Sequence, residues 1–320
     1  AEALIDNGVQ VFGAEAVGGT TVLGRLSFAS CPGPYRFVLA IPQRRTESLL
    51  RQRLEELAPG SLKPDATVDA VREAPDFVCT TLRNGDSIRS RVVVGCDGME
   101  SQVRRSVGFG FHGAEYPDRY AMGDFADTSG LGATACVFLG RSGLVESFPL
   151  PGNVRRWVAR ETVASGIPDE AQLAQVVQRR TGHVVAASSA TMFSAFRTYS
   201  FLAQPFARGR VFLAGDAGHV VSPIGGQGMN LGWMDVADLV PALRLRLAGQ
   251  VEPNRVAQEY AARRSRAYRI AKRRAEFNMW MGRQGRASLA KQWATRLVLG
   301  SPVAAYFAAR FSMRGLPVAS

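Results

Sequence analysis

The chain has 320 residues, 46% of them hydrophobic and 21% charged, enough to bury the core of one large domain or two and too apolar for disorder. It has no membrane-spanning run and no signal-like start, and Cys31, Cys79, Cys96 and Cys136 stand too far apart for a zinc site or a disulfide framework, so a cytoplasmic, metal-free protein is expected. The net charge of +12 invites nucleic acid, but no nucleic-acid motif accompanies it; only Lys63, Lys272 and Lys291 of the 39 basic residues are lysine, and much of the excess lies between Glu252 and Arg296, which reads as a solvated helical face, with contact to a membrane surface as the lesser alternative. In chain order, Arg36 to Ile41 reads as a short strand and Gln43 to Leu57 as a helix with Leu49, Leu50, Leu54 and Leu57 on one side. Thr67 to Arg72, Phe77 to Leu82 and Ser87 to Gly95 read as strands, the last two joined by the turn signal Asn84-Gly85. From Tyr120 to Glu161, short runs (Ala133 to Leu139, Leu144 to Leu150, Arg155 to Arg160) predict an antiparallel meander. Ala171 to Arg180 predicts a helix and Thr191 to Phe201 a strand. Arg210 to Ala214 predicts a buried strand, and a glycine-rich turn then opens a helix from about Gly226 to Ala248. Beyond Pro253 the pattern is helical, with Trp280, Trp293, Tyr306 and Phe311 as expected anchors.

Two segments carry chemistry. In the first, the apolar run Val92-Val93-Val94 meets Asp97-Gly98, with Ser101 and Arg104 three and six residues after Gly98. A strand that turns into a helix in this way aims backbone N–H groups and a carboxylate outward, and Gly98 permits the tight turn. Taken alone it could equally be an ordinary strand–turn–helix with an aspartate cap. In the second, Val211-Phe212-Leu213 runs into Gly215-Asp216, followed by Pro223, then Gly225-Gly226-Gln227-Gly228-Met229-Asn230, then Asp235. A carboxylate at a strand end can bond sugar-like hydroxyls. The glycines let backbone approach a flat ligand, and the helix that starts there offers free N–H groups and partial positive charge.

These two segments, in this order and roughly 120 residues apart, resemble the DG and GD fingerprints of the FAD-dependent aromatic hydroxylases, the para-hydroxybenzoate hydroxylase-like and ubiquinone-biosynthesis-like flavoprotein monooxygenases. Ile41-Pro42-Gln43 leading to Glu47 resembles a third, weaker element in which the glutamine contacts FAD. The resemblance implies that Asp97, Gly98, Ser101 and Arg104 serve FAD and the nicotinamide cofactor, that Gly215-Asp216 holds the ribityl chain, and that Pro223 lies beside the isoalloxazine ring. It further implies that Gly225, Gly226, Gly228, Met229 and Asn230 line the ring's O2/N1 edge. The family usually has alanine where this chain has Gly218. The implied fold is mixed α/β: a glutathione-reductase-type FAD-binding domain, incomplete here, with an inserted antiparallel substrate sheet and C-terminal helices. By position, 1–109 and 202–250 would bind FAD, 110–201 the substrate, and 251–320 would be the helical tail. The implied reaction takes NADPH or NADH and O2 and hydroxylates a phenolic or polycyclic aromatic through a flavin C4a-hydroperoxide, with no nucleic acid among the partners. Alternatives are a related FAD-dependent epoxidase or reductase acting on an isoprenoid or polyketide, a non-catalytic relic, and a ubiquinone-pathway hydroxylase at a membrane.

The family's first element, a strand followed by GxGxxG, is not found: Gly13, Gly18, Gly19 and Gly24 lack its spacing. With alanine at position 1, the chain is expected to start beyond that unit and, as given, to bind FAD weakly. His219 reads as a packing residue near the ribityl region. Phe193, Phe196, Tyr199 and Phe201 read as core, with contact to a flat substrate as the alternative. The residues identify neither a general base nor a substrate nor an oligomeric state.

Overall fold

The computed structural model describes residues 1–161, 167–283, 285 and 288–317. They form two compact units. One comprises Ala1–Leu62, Pro117–Arg197 and Met279–Arg314; the other comprises Lys63–Tyr116, Thr198–Asn278 and Gly315–Ser320.

The first unit is built on a mixed sheet. The expected meander is there as Ala135–Gly140, Gly143–Leu150 and Val154–Arg160, each antiparallel to the next, and residues 120–126 of the Gly110–Ala126 strand pair with the last of them. Tight turns at Gly143 (φ 107°), Gly152 (φ 78°) and Asn153 (φ 56°) allow the reversals. A hairpin that the periodicity did not disclose, Gly13–Gly18 with Thr21–Ser27, joins the other edge, and its first strand runs parallel to Ala135–Gly140. Strand alternation sends Ala121, Phe125, Cys136, Phe138, Val145, Trp157 and Ala159 to one face, against Leu173, Val176 and Val177 of the helix Glu170–Thr181. Burying each of the larger side chains contributes about 1.5–3 kcal/mol. That helix starts where the Asp169 side chain accepts from Gln172 N at 2.8 Å and stops at Gly182 (φ 80°). The helix Gln43–Leu57 forms as expected, but Leu50, Leu54 and Leu57 stay exposed and only Thr46 is buried. Trp293 and Tyr306 are likewise more than half exposed and do not anchor their helices; Ala308 is the buried residue of the segment Ala304–Phe311.

The second unit holds two small sheets. Val68–Glu73, Val78–Leu82 and Ser87–Ser90 are antiparallel, turning at Gly85 (φ 94°) as Asn84-Gly85 predicted. The run Ser87 to Gly95, expected as one strand, is two. Val93–Gly95 leaves the antiparallel sheet and pairs in parallel with Val211–Leu213, which also takes Ala207–Arg208. Helices Gln102–Ser106 and Gln227–Leu247 follow these parallel strands, and the long helix Pro253–Gly282 contributes its residues through Asn278. Among the described residues no helix is long and apolar enough to cross a membrane.

Candidate functional site

Both fingerprint segments fall in the second unit, and the parallel pairing of their strands brings them together. Val93, Val94 and Gly95 lie opposite Val211, Phe212 and Leu213. A Cβ on Gly95 would sit 2.9 Å from both Leu213 Cδ2 and Val103 Cβ, so glycine is required for the approach. After the first strand, Asp97 bends back into the helix it precedes. Its Oδ1 accepts from Ser101 Oγ at 2.6 Å, and its Oδ2 accepts from Gln102 N at 2.7 Å and Val103 N at 3.0 Å. Ser101 Oγ accepts from Arg104 N at 2.9 Å. These bonds satisfy the N–H groups that a helix start leaves free. Gly98 takes φ 77°, as the turn demands.

Arg104 is buried and ties the two segments to each other. It donates to the Ala217 carbonyl at 2.8 Å and to the Met99 carbonyl at 2.7 Å, and its guanidinium lies 3.7 Å from the Phe111 ring centroid. Burial pulls its pKa below the usual arginine value. Ser101 and Arg104 therefore act from behind the surface, by fixing the turns.

The second segment ends its strand in a helical turn, Gly215–Ala217. Gly215 has φ 61° and donates its N–H to Asp235 Oδ2 at 2.7 Å. A Cβ on Gly232 would come within 3.3 Å of Gly215 Cα, so the helix Gln227–Leu247 lies close against this turn. Asp216 is exposed, and among the described residues its carboxylate has no partner. Its pKa is raised, first by desolvation and then by the Asp235 carboxylate, while His219 opposes the rise. The departure at Gly218 has a steric cause: a Cβ there would lie 2.3 Å from Phe206 Cε2. His219 is fully buried, as its packing role anticipated. It stacks between Phe206 and Tyr268, with Nε2 2.8 Å from Asp235 Oδ2 but without the alignment of a hydrogen bond.

Beyond it, Pro223 is exposed, Gly225 and Gly226 take φ 88° and 68°, and the helix begins at Gln227. Asn230 Nδ2 donates to the Gly226 carbonyl at 2.7 Å, and Met229 is exposed. The glycines here have different reasons. Gly225 needs its positive φ, and a side chain would also strike Asn278 Nδ2 at 2.4 Å. Gly228 is helical, and the nearest atoms to a Cβ there are 3.8 Å away, so nothing inside the fold requires its lack of a side chain. A glycine costs a helix stability without return unless something outside the fold approaches. Asp216, Pro223, Gly226, Met229 and Asn230 are exposed in one unit, beside an N-terminal helix turn whose partial charge is positive. Gln43, the remaining expected contact, lies in the other unit, exposed at the first turn of its helix.

Two supporting residues escaped the sequence reading. Arg264, inside the arginine-rich run taken for a solvated face, is fully buried. It pairs with Asp235 at 2.6 Å and donates to the Leu231 and Pro317 carbonyls. Tyr260 Oη donates to the Leu213 carbonyl at 2.7 Å, bracing the strand before Gly215. Neither has a local signature, because each partner is distant in sequence. The aromatics of the strand Met192–Gln204 are packing groups: Phe193 lies against the first unit's core, Phe196 stacks on Tyr120 at 5.9 Å, and Phe201 stacks on Phe111 at 5.0 Å.

Comparison with known proteins bears on this geometry. The family model described as FAD binding domain matches residues 5–274. The chain is 32% identical over 214 residues to a rifampicin monooxygenase of Streptomyces venezuelae, covering 64% of this chain and 44% of that protein. It is 30% identical over 246 residues to the ubiquinone hydroxylase UbiL of Rhodospirillum rubrum, covering 71% of this chain and 53% of that one. The chain thus spans about half the length of these curated relatives. Among solved structures, p-nitrophenol 4-monooxygenase of Pseudomonas putida superposes with a TM-score of 0.87 at 21% identity, covering 99% of this chain and 84% of that one, which is a likeness of fold.

Proposed function

The chain belongs to the FAD-binding domain family, and from that premise we propose that it is the flavin- and substrate-binding body of a monooxygenase that hydroxylates an aromatic ring. The observation that carries the flavin part is the pairing of Asp216, whose carboxylate has no partner among the described residues, with a helix entrance whose Gly228 lacks a side chain for no reason among those residues. FAD fits this set of groups. Asp216 would accept hydrogen bonds from the ribityl hydroxyls, and Pro223 would pack on the ring. Gly225, Gly226, Gly228, Met229 and Asn230 would border its pyrimidine edge. Asp97, Gly98, Ser101 and Arg104 would keep the adjoining turn in place. Bound there, the flavin supplies the redox chemistry that activates O2, with NADPH or NADH as reductant.

The protein's own contribution is binding and electrostatics. The positive end of the Gln227–Leu247 helix lowers the energy of negative charge on a ligand at its mouth, through donors already oriented before reaction. The Asp235–Arg264 pair anchors the helix that carries these donors, and the Arg104 clamp fixes the turn that carries Asp216, so little reorganisation is needed. The aromatic-hydroxylase part is supported by the relatives' names, a rifampicin monooxygenase and a ubiquinone hydroxylase. Incubating flavin-loaded protein with NAD(P)H and a panel of phenols, while following O2 uptake and ring-hydroxylated product, tests it. O2 consumption with matching product is expected. Stoichiometric flavin with no substrate-dependent O2 uptake across the panel would refute the reaction while leaving the binding site intact.

A further inference from the structure

Among the described residues of the first unit, two polar groups on one face of its sheet have no partner. Glu146, on Gly143–Leu150, is 5% exposed, and among the described residues no hydrogen bond or ion pair reaches its carboxyl. Tyr120, on the Gly110–Ala126 strand of the same sheet, separated from the Glu146 strand by Val154–Arg160, is fully buried, and among the described residues its hydroxyl has no hydrogen-bond partner. The register shows what surrounds them. Glu146 lies opposite Val137 and Val158, and Val158 lies opposite Met122, so the carboxyl stands among apolar neighbours. Tyr120 lies opposite Arg160 and stacks on Phe196. The two are close enough for the charge of Glu146 to help hold the Tyr120 proton.

Among the described residues, the cations on and beside the sheet are paired elsewhere and none pairs with Glu146. Arg160 and Arg283 both pair with Asp118, at 2.8 and 2.7 Å. Arg156 pairs with Asp124 at 2.7 Å, and Arg155 with Asp127 at 2.9 Å. Burial alone raises the Glu146 pKa to about 7. Folded proteins rarely leave such groups unsatisfied, and those they do leave call for an explanation.

We propose that Glu146 and Tyr120 are the substrate-recognising pair of this protein, taking the ring oxygens of a planar phenolic compound. Glu146 accepts the hydrogen bond of a ring hydroxyl, and Tyr120 Oη–H donates to a ring oxygen. Val137, Val158 and Met122 supply the apolar surroundings. A site with polar groups committed in this way rejects a ring of the same shape that lacks the oxygen, because the protein groups then stay unpaired.

The assignment takes its ligand class from the aromatic-hydroxylase reading, and its test is independent of turnover. Equilibrium binding of 4-nitrophenol and of 4-nitrotoluene, which has methyl in place of hydroxyl, is measured on the flavin-loaded protein and on Glu146→Met and Tyr120→Phe. The wild type is expected to prefer the phenol at least tenfold, and each variant to lose that preference with flavin content unchanged. Because the variants delete groups that the fold leaves unpaired, their melting temperatures should equal or exceed that of the wild type. A preference that survives either substitution overturns the assignment, as does a wild type that binds both probes equally or binds neither. A lower melting temperature in the variants also overturns it, by marking the pair as part of the packing. Absent flavin in the same samples would count against the flavin reading, not against the pair.

Discussion

Replacing Asp235 with alanine should nearly unfold the second unit. Its carboxylate is fully buried and does three things at once: it pairs with the equally buried Arg264 at 2.6 Å, accepts the Gly215 N–H at 2.7 Å, and stands 2.8 Å from His219. Removing one partner of a buried ion pair costs about 3–5 kcal/mol, because the other charge stays behind unpaired. Leaving the Gly215 N–H unsatisfied adds about 1–3 kcal/mol. The total of about 4–8 kcal/mol is comparable with the whole stability of a typical domain. Asp235→Asn keeps an acceptor for Gly215 and should cost less. The double variant Asp235→Leu/Arg264→Met removes both charges and should be more stable than either single change. Urea unfolding followed by Tyr and Trp fluorescence measures these three variants, the single changes Asp235→Leu and Arg264→Met, and the wild type. Single variants within 1 kcal/mol of wild type, or a double variant equal to the sum of the singles, would refute the role given to this pair.

Two further outcomes follow from particular residues. Gly228→Ala meets nothing within 3.8 Å inside the fold, so it should stabilise the flavin-free protein by up to about 1 kcal/mol while weakening FAD retention; thermal melting and flavin absorbance after gel filtration read the two effects separately, and unchanged retention would contradict the cradle. Burial raises the Glu146 pKa from 4.5 to about 7, so the folded state holds its proton more tightly than the unfolded chain. The stabilisation this gives is complete below pH 4.5 and is lost as pH rises to about 7, by on the order of 3 kcal/mol. Unfolding free energies across that range should therefore slope less in Glu146→Gln; identical slopes would contradict the shift.

Local chemistry was what the sequence disclosed well. Gln43–Leu57 and Gln227–Leu247 form at the predicted places because the Pro42 entry, the helix formers and the Gly225-Gly226 entrance are all written within a few residues. The two fingerprints were legible for the same reason, down to the turns at Gly98 and Gly215. What escaped depends on distant partners. The hairpin Gly13–Gly18 with Thr21–Ser27 is fixed by pairing with Ala135–Gly140, more than 100 residues away, and its glycines gave no apolar alternation to read. The Gly110–Ala126 strand contains Glu115, Pro117 and Asp118, which locally argue against a strand. Gly113 serves there as a point of close backbone approach, since a Cβ would collide with the Ser200 carbonyl. Arg264 looked like one more surface arginine, and only its meeting with Asp235 explains its burial. Asp97 was expected to point outward; the helix start behind it supplies two N–H groups, and the carboxylate goes to them.

The most direct test of the account is a fluorescence titration of FAD into wild-type protein and into Asp216→Ala. The Asp216 carboxylate makes no bond among the described residues, so its removal should leave the melting temperature in place while raising the Kd for FAD at least tenfold, the loss of roughly one charge-assisted hydrogen bond. Equal Kd values for the two proteins would contradict the claim that this carboxylate and the glycine-lined helix entrance beside it hold a flavin.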